Sequence, residues 1–200
     1  LEALYREALA QPEIVALSLG TRPDCLPDEM LAMLRRLREE SGKDIWIELG
    51  LQSIHETTAE RIHRGYPLAV FDNAYHRLKA ADFTVIVHVI LGFPWESEDD
   101  MLATIRYLSA LEPTLDGIKL QLLHVLRGTE LGRMYEAEPF RTLTLDEYCT
   151  LVVQCLRLLP PATVIHRITG DGPKRLLLAP LWSANKKLVL NTLNRAIREA

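Results

Sequence analysis

At 200 residues, 48% of them hydrophobic, the chain has material for one sizeable core and is neither a disulfide-stapled miniprotein nor a disordered tail. Its 27 acidic and 23 basic residues leave a net charge of -4, which provides no broad electrostatic footprint for a nucleic-acid backbone. Three cysteines, Cys25, Cys149 and Cys155, are odd in number and lack CxxC spacing, which argues against a secreted disulfide framework and fits a reducing, cytoplasmic compartment. In chain order, residues 14–20 read as a first strand, rich in aliphatic side chains and ending on a glycine. Pro27 and Asp28 then open a helix with apolar residues at Met30, Leu31, Leu34 and Leu37, and Gly42 closes it. Residues 44–51 and 84–91 are the second and third strands. The apolar run from Thr84 to Pro94 is half the length of a membrane span and is broken by His88, so no membrane partner is expected. Met101, Leu102, Ile105 and Leu108 mark a helix, residues 117–126 a fourth strand, and residues 163–168 a fifth. Thr144 with Glu147 makes a capping box before an apolar stripe from Cys149 to Leu159. Residues 185–200 set Leu188, Val189, Leu193 and Ile197 against Lys186, Lys187, Arg195 and Arg198, an amphipathic terminal helix. The sequence opens at Leu1 without a basic-then-apolar leader, and can be a fragment.

Strand alternating with helix implies right-handed crossovers and a parallel sheet, either open or curled into a barrel. The two faces of the strands decide between them. Val15, Leu17 and Leu19 share one face, as do Ile45, Ile47 and Leu49, then Val85, Val87 and Val89. The opposite rows hold Ser18 and Gly20, Glu48 and Gln52, His88 and Gly92, Lys119 and Gln121, which suit the lining of a polar cavity better than a dry core. We therefore expect an α/β fold, a partial (β/α) barrel of parallel strands over residues 1–172, with a helical extension over 173–200 packed on it.

Ligands of such folds collect beyond the carboxyl ends of the strands. Each end here is polar or glycine-bearing: Thr21-Arg22-Pro23-Asp24-Cys25, Glu48-Leu49-Gly50-Leu51-Gln52-Ser53, Ile90-Leu91-Gly92-Phe93-Pro94-Trp95-Glu96, His124-Val125-Leu126-Arg127-Gly128-Thr129, and His166-Arg167-Ile168-Thr169-Gly170-Asp171. The phrases TRPDCL, ELGLQS, HVILGFPWE and HRITGD resemble the radical S-adenosylmethionine (SAM) superfamily, specifically its YhcC-like subgroup, with more distant kinship to coproporphyrinogen dehydrogenases and the Elongator catalytic subunit. The resemblance runs over nearly the whole chain. It implies a barrel whose strand ends hold SAM beside a four-iron, four-sulfur (4Fe-4S) cluster, with formation of a 5'-deoxyadenosyl radical that abstracts hydrogen from a substrate the sequence does not identify. It also implies an electron donor such as flavodoxin or ferredoxin.

Carried over by position, the resemblance puts Gln52 by the SAM ribose, with Ser53 beside it among the cofactor-binding residues, and Arg64 opposite the methionyl carboxylate, where a guanidinium fork fits. Ile90 and Gly92 fall beside the adenine, with the missing side chain of Gly92 admitting a flat ring, and Glu96 holds that loop. His88 stands where coproporphyrinogen dehydrogenases place an aspartate, and Gly20 where several relatives place a glutamate, so cofactor contacts differ in detail. His88 as a cofactor contact and His88 as a core histidine both remain open. Arg22, Lys119, His124, His166 and Arg167 are candidates for the substrate side; none is assigned as catalytic. The family's CxxxCxxC motif and the glycine-rich strand for the SAM amino group are missing, which implies a sequence beginning about two strands into the barrel, with no metal ligands of its own. Histidines 55, 63, 88, 124 and 166 show neither HxH nor HExxH spacing, so no zinc site is expected. Two other readings stay open: a barrel lyase or aldolase using Lys119 as Schiff-base nucleophile, and a non-catalytic module for a protein or an RNA such as tRNA, the latter through the basic face of the last helix.

Overall fold

A computed structural model describes residues 1–200. Five parallel strands, β1 (Ala16–Thr21), β2 (Asp44–Gln52), β3 (Thr84–Leu91), β4 (Gly117–Leu122) and β6 (Val164–Arg167), form one sheet in the order β1-β2-β3-β4-β6. The polypeptide enters through α1 (Glu2–Leu9) and crosses between strands through α2 (Asp28–Ser41), the pair α3 (Glu56–Arg61) and α4 (Leu68–Ala80), α5 (Glu98–Ser109) and α7 (Leu145–Leu158). Strands in chain order are spatial neighbours, as right-handed βαβ units require. No helix is long and apolar enough to cross a membrane.

The ends of these helices follow local chemistry. Gly42 adopts φ +64° and its N–H returns to the Arg38 carbonyl, closing α2 where a side chain would be strained. Ser97 with Asp100 and Thr144 with Glu147 form capping boxes at α5 and α7, each hydroxyl accepting from the third helical N–H. Asp116 anchors the sheet's lower edge: its carboxylate accepts from Lys79 Nζ at 2.6 Å and from the Val85 N–H at 2.8 Å, fixing α4 to the start of β3.

A single core cluster takes one row from each central strand: Ile45, Ile47, Leu49 and Leu51; Val85, Val87, Val89 and Leu91; Ile118, Leu120 and Leu122. Against it pack Leu31, Leu34 and Leu37 of α2, Phe71, Tyr75 and Leu78 of α4, Met101, Ile105 and Leu108 of α5, and Tyr148, Val152 and Cys155 of α7. The alternate rows stay outside that cluster and are half-buried at Trp46, Glu48 and Gln52 of β2, at His88 and Ile90 of β3 and at Lys119 and Gln121 of β4. Helices thus coat one face, while the other presents the polar row, the half-open arrangement expected of a partial barrel.

Three sequence expectations change. Val15 is 80% exposed, because it precedes β1, an edge strand, and does not join the inner row. The fourth run is two elements: β4 stops at Leu122, and β5 (Val125–Leu126) leaves the sheet to pair antiparallel with β7 (Leu177–Ala179). That ribbon carries α6 (Glu130–Ala137). The terminal helix, α8 (Lys186–Glu199), buries Val189 and Leu193 in the core cluster, whereas Leu188 is 46% exposed. Residues 173–184, which lead into α8, hold two short 3-10 turns on either side of β7.

Candidate functional site

Beyond the carboxyl ends of the strands lies a cleft of about 790 Å³. Its floor comes from Gln52 at the end of β2, Ile90 in β3 and the Leu123–His124 break after β4. One wall is Arg61–Arg64 with Tyr66, between α3 and α4, together with Arg22; the other is Thr129–Leu131 and Met134, at the start of α6. Phe93 and Trp95 stack with ring centroids 5.6 Å apart, and the Arg61 guanidinium lies over Trp95 at 5.1 Å. Arg22 lies over Tyr66 at 5.3 Å and forms a fork with Asp24. Arg61 is exposed and makes no hydrogen bond or ion pair, so its charge is available to a ligand.

The loop after β2 is held by two clasps. Arg64 is buried, and its guanidinium donates to the carbonyls of Tyr66 (2.9 Å), Ser53 (2.7 Å) and Leu51 (3.3 Å) and to Glu56 (3.2 Å). Those contacts commit most of its donors to the backbone, so the free carboxylate fork expected from the sequence is not the geometry found: Arg64 borders the cleft as a brace. The second clasp is the Glu96 carboxylate, which accepts from Ser53 Oγ and Thr58 Oγ1 at 2.6 Å each. Trp95 Nε1 donates to the same Thr58 hydroxyl at 3.0 Å, joining the loops after β2 and β3. Ser53 is therefore a buried structural hydroxyl and does not line the cleft. Gln52 sits between the clasps at φ +68°, a left-handed conformation unusual for a side-chain-bearing residue, and its amide packs over the bare Cα of Gly50.

Below the cleft the polar row forms a lattice centred on Glu48. One carboxylate oxygen accepts from Ser18 Oγ at 2.7 Å; the other meets Lys119 Nζ at 2.5 Å and His88 Nε2 at 2.8 Å. Gln121 Nε2 lies 3.1 Å from His88 Nδ1. Burial raises the Glu48 pKa, but the hydrogen bonds from Lys119, Ser18 and His88 outweigh it and pull the carboxyl down to about 2. Burial lowers the His88 pKa against the upward pull of Glu48. A neutral imidazole that donates from Nε2 to Glu48 and accepts at Nδ1 from Gln121 satisfies both contacts. His88 thus lies in the lattice rather than at the cleft, and the Lys119 amine is ion-paired rather than poised as a neutral nucleophile.

The remaining expected residues fall in three places. Gly92 has φ +98°, but the space beside its Cα is filled by Leu143, with Cδ1 3.3 Å from where a Cβ would stand, and its N–H points to Met101 Sδ. It makes a turn, and it is not among the residues that line the cleft. His124 lines the cleft and is packed against Gly170 and Gly172; a Cβ on Gly170 would stand 2.5 Å from the imidazole, and burial lowers the His124 pKa. His166 and Arg167 lie apart from the cleft, beside a small cavity between β6 and α8. Arg61, Tyr66, Trp95 and the α6 side chains were not picked out as site residues from the sequence; the aromatic phrase FPWE was its only local signal for them.

For an iron–sulfur cluster the residues do not fit. Cys25 is exposed after β1, Cys149 and Cys155 are buried in α7, and burial pushes the Cys155 thiol up to about 12. No group of three His, Cys, Asp or Glu side chains converges into a metal site.

Residues 1–108 match the description Radical SAM superfamily, and residues 115–199 match Radical_SAM C-terminal domain. The chain is 38% identical over 193 residues to the uncharacterized protein YtqA of Bacillus subtilis, covering 96% of this chain and 59% of that protein. It is 34% identical over 199 residues to protein YhcC of Escherichia coli, covering 100% and 63% respectively. It thus spans about six-tenths of the length of these relatives. Among solved structures, the archaeal Methanocaldococcus infernus Elp3 with an N-terminal deletion superposes with TM-score 0.77 at 22% identity, over 97% of this chain and 45% of that one, a likeness of fold.

Proposed function

Because the chain belongs to the radical SAM superfamily, we propose that its cleft is the SAM-binding and substrate-side part of a radical SAM enzyme. The observation that carries this reading is the cleft at the strand ends, where an apolar strip from Ile90 through Phe93 and Trp95 faces a wall of cations. Its volume is in the usual range for a cofactor pocket. Ile90 and the edges of the aromatic pair offer apolar surface to a base, the Gln52 amide offers donor and acceptor to a ribose, and Arg61, which rests on Trp95 without a hydrogen bond or ion pair, is the guanidinium for a carboxylate. Arg64 and Glu96 are positioning residues that keep Gln52 in its left-handed turn. The chemistry SAM supplies in this superfamily is radical abstraction of hydrogen from a substrate. No step through the iron–sulfur cluster is derived from these residues, since none of them fits it.

Titration calorimetry of the chain with SAM tests the assignment. Arg61→Ala weakens SAM binding about tenfold by removing one charge-assisted contact and leaves the unfolding midpoint in place. Arg64→Ala lowers both, because the carbonyls of Ser53 and Tyr66 lose the guanidinium that donates to them. Undiminished SAM affinity in both Arg61→Ala and Gln52→Ala removes the cleft assignment.

A further inference from the structure

The register of the sheet's last strand contains an irregularity that the cleft does not use. β4 pairs with β6 through Gly117 with Val164 and Ile118 with Ile165, after which Lys119 pairs with Arg167. His166 is therefore the extra residue of a bulge, and the usual alternation of faces is broken there. His166 turns to the polar side, where its ring meets Trp46 edge-on with centroids 5.7 Å apart and lies over Gly117, at which a Cβ would stand 2.7 Å from the imidazole. Arg167 is registered beside Lys119, which faces the same side. Two adjacent residues thus project where regular pleating would permit one.

The charges at this bulge do not balance. Neighbouring cations on a sheet repel, and the lattice has one carboxylate for the two of them. Glu48 is already held by Lys119, Ser18 and His88. Across the loop after β6, Asp171 is held by Lys186 at 2.8 Å. Arg167, exposed, makes no hydrogen bond or ion pair with the protein. Beside it opens a cavity of about 230 Å³, walled by His166, Ile168–Asp171, Lys186 and Leu190. That space is small for a whole cofactor and suited to one functional group.

We propose that the His166–Arg167 bulge is an oxyanion subsite, in which the Arg167 guanidinium receives a carboxylate or phosphate group of the ligand that occupies the polar face of the sheet. The assignment of that ligand as a substrate rests on the radical SAM reading above; the anion site itself rests on the bulge, the cavity and the unmatched charge. A planar fork of donors on a strand fixes both the position and the orientation of a two-oxygen or three-oxygen group, and the adjacent Lys119 adds to the local positive field. The substrate class implied is a small anionic molecule, or one with an anionic end, that enters along the edge between β6 and α8.

Nitrogen-15 spectra of the labelled chain, with the Arg167 Nε–H signal identified by its loss in Arg167→Gln, read this directly. Inorganic phosphate and succinate are titrated separately at constant ionic strength. A saturable shift of the Arg167 signal with either anion in the wild type, accompanied by shifts of the Ile168–Asp171 backbone amides that are weakened about tenfold or more in apparent affinity in Arg167→Gln and partly retained in Arg167→Lys, supports the subsite. Tighter binding of phosphate marks a phosphorylated ligand, and tighter binding of succinate a carboxylate. Shifts that never saturate, or an anion response at His166 equal in wild type and Arg167→Gln, overturn it. SAM affinity is measured separately and is expected to be unchanged in Arg167→Gln. If SAM fails to bind the wild type while an anion saturates Arg167, the cleft reading falls and the subsite stands. Parallel loss of SAM in Arg167→Gln assigns Arg167 to the cleft and removes the separate subsite.

Discussion

The two faces of β2 are one residue apart in sequence and opposite in chemistry. Ile45, Ile47, Leu49 and Leu51 are each 1% exposed or less and lie under the helices, whereas Trp46, Glu48, Gly50 and Gln52 look into the half-open side. The helical face is held by shape and dispersion, where every methyl group has neighbours. On the open face, the named partners Glu48, His88, Lys119 and Gln121 satisfy one another, and the order depends on protonation as well as packing. The lesson is that a partial barrel separates its tasks by strand parity: one row makes the sheet persist, and the other is left to meet a ligand.

The strongest way to break the comparison is to cut the apolar row. Leu49→Ala removes a fully buried side chain under α2 and α4 and is expected to cost about 2–5 kcal/mol in urea unfolding. If it costs no more than a substitution on the polar row, the division of labour is wrong. Arg64→Ala follows, at about 1–3 kcal/mol, because it leaves buried carbonyls without donors. Its stability loss should come with weakened SAM binding, whereas Leu49→Ala lowers stability alone at temperatures where the protein remains folded.

Glu48→Gln sharpens the comparison, since it keeps shape and deletes charge. We expect a loss of about 1–3 kcal/mol at neutral pH, with Lys119 and His88 left without their acceptor anion. The pH dependence gives a second reading. Glu48 has a pKa of about 2 in the fold, below the ordinary 4.5, so the unfolded chain binds more protons between those values. Its contribution is fully present above the ordinary value and is lost as pH falls toward 2. Glu48→Gln should flatten the acid limb of stability in that window. His88 acts in the same direction at higher pH: its lowered pKa means that stability is present above its ordinary 6.5 and is lost as pH falls below it. Within the lattice only the carboxyl contribution should vanish on Glu48→Gln; an unaltered acid limb means that Glu48 is not the hub.

Much of this was legible where the determinant is local. Strand parity announces the two rows because the side-chain period is two. Gly42 and the Thr144–Glu147 box mark helix ends because a cap lies within a few residues of its partner. What was hidden depends on distant partners or on register. The resemblance implies a ligand contact for Arg64, twelve residues after Gln52, whereas the carbonyls of Leu51, Ser53 and Tyr66 that claim it converge only after α3 is placed. The resemblance implies open backbone at Gly92, yet Leu143, just before α7, stands where a side chain there would project. The bulge at His166 leaves no compositional trace, since a shift of one residue changes direction without changing residue type.

The smallest expected effect tests whether position on the cleft side is enough to matter. His63 Nε2 and Glu130 Oε2 approach to 3.2 Å across the cleft mouth, linking the α3–α4 connection to α6, but their side chains are 74% and 64% exposed. Water screens such a pair, and ordering two mobile side chains offsets most of its attraction. Glu130→Gln should therefore leave the unfolding free energy within about 0.5 kcal/mol, far below the effect of Glu48→Gln on the same side of the sheet. Equal losses would mean that any charge on the ligand side stabilises the fold. The expected inequality instead assigns stability to half-buried charges that share donors, and leaves the rim free to vary with what it binds.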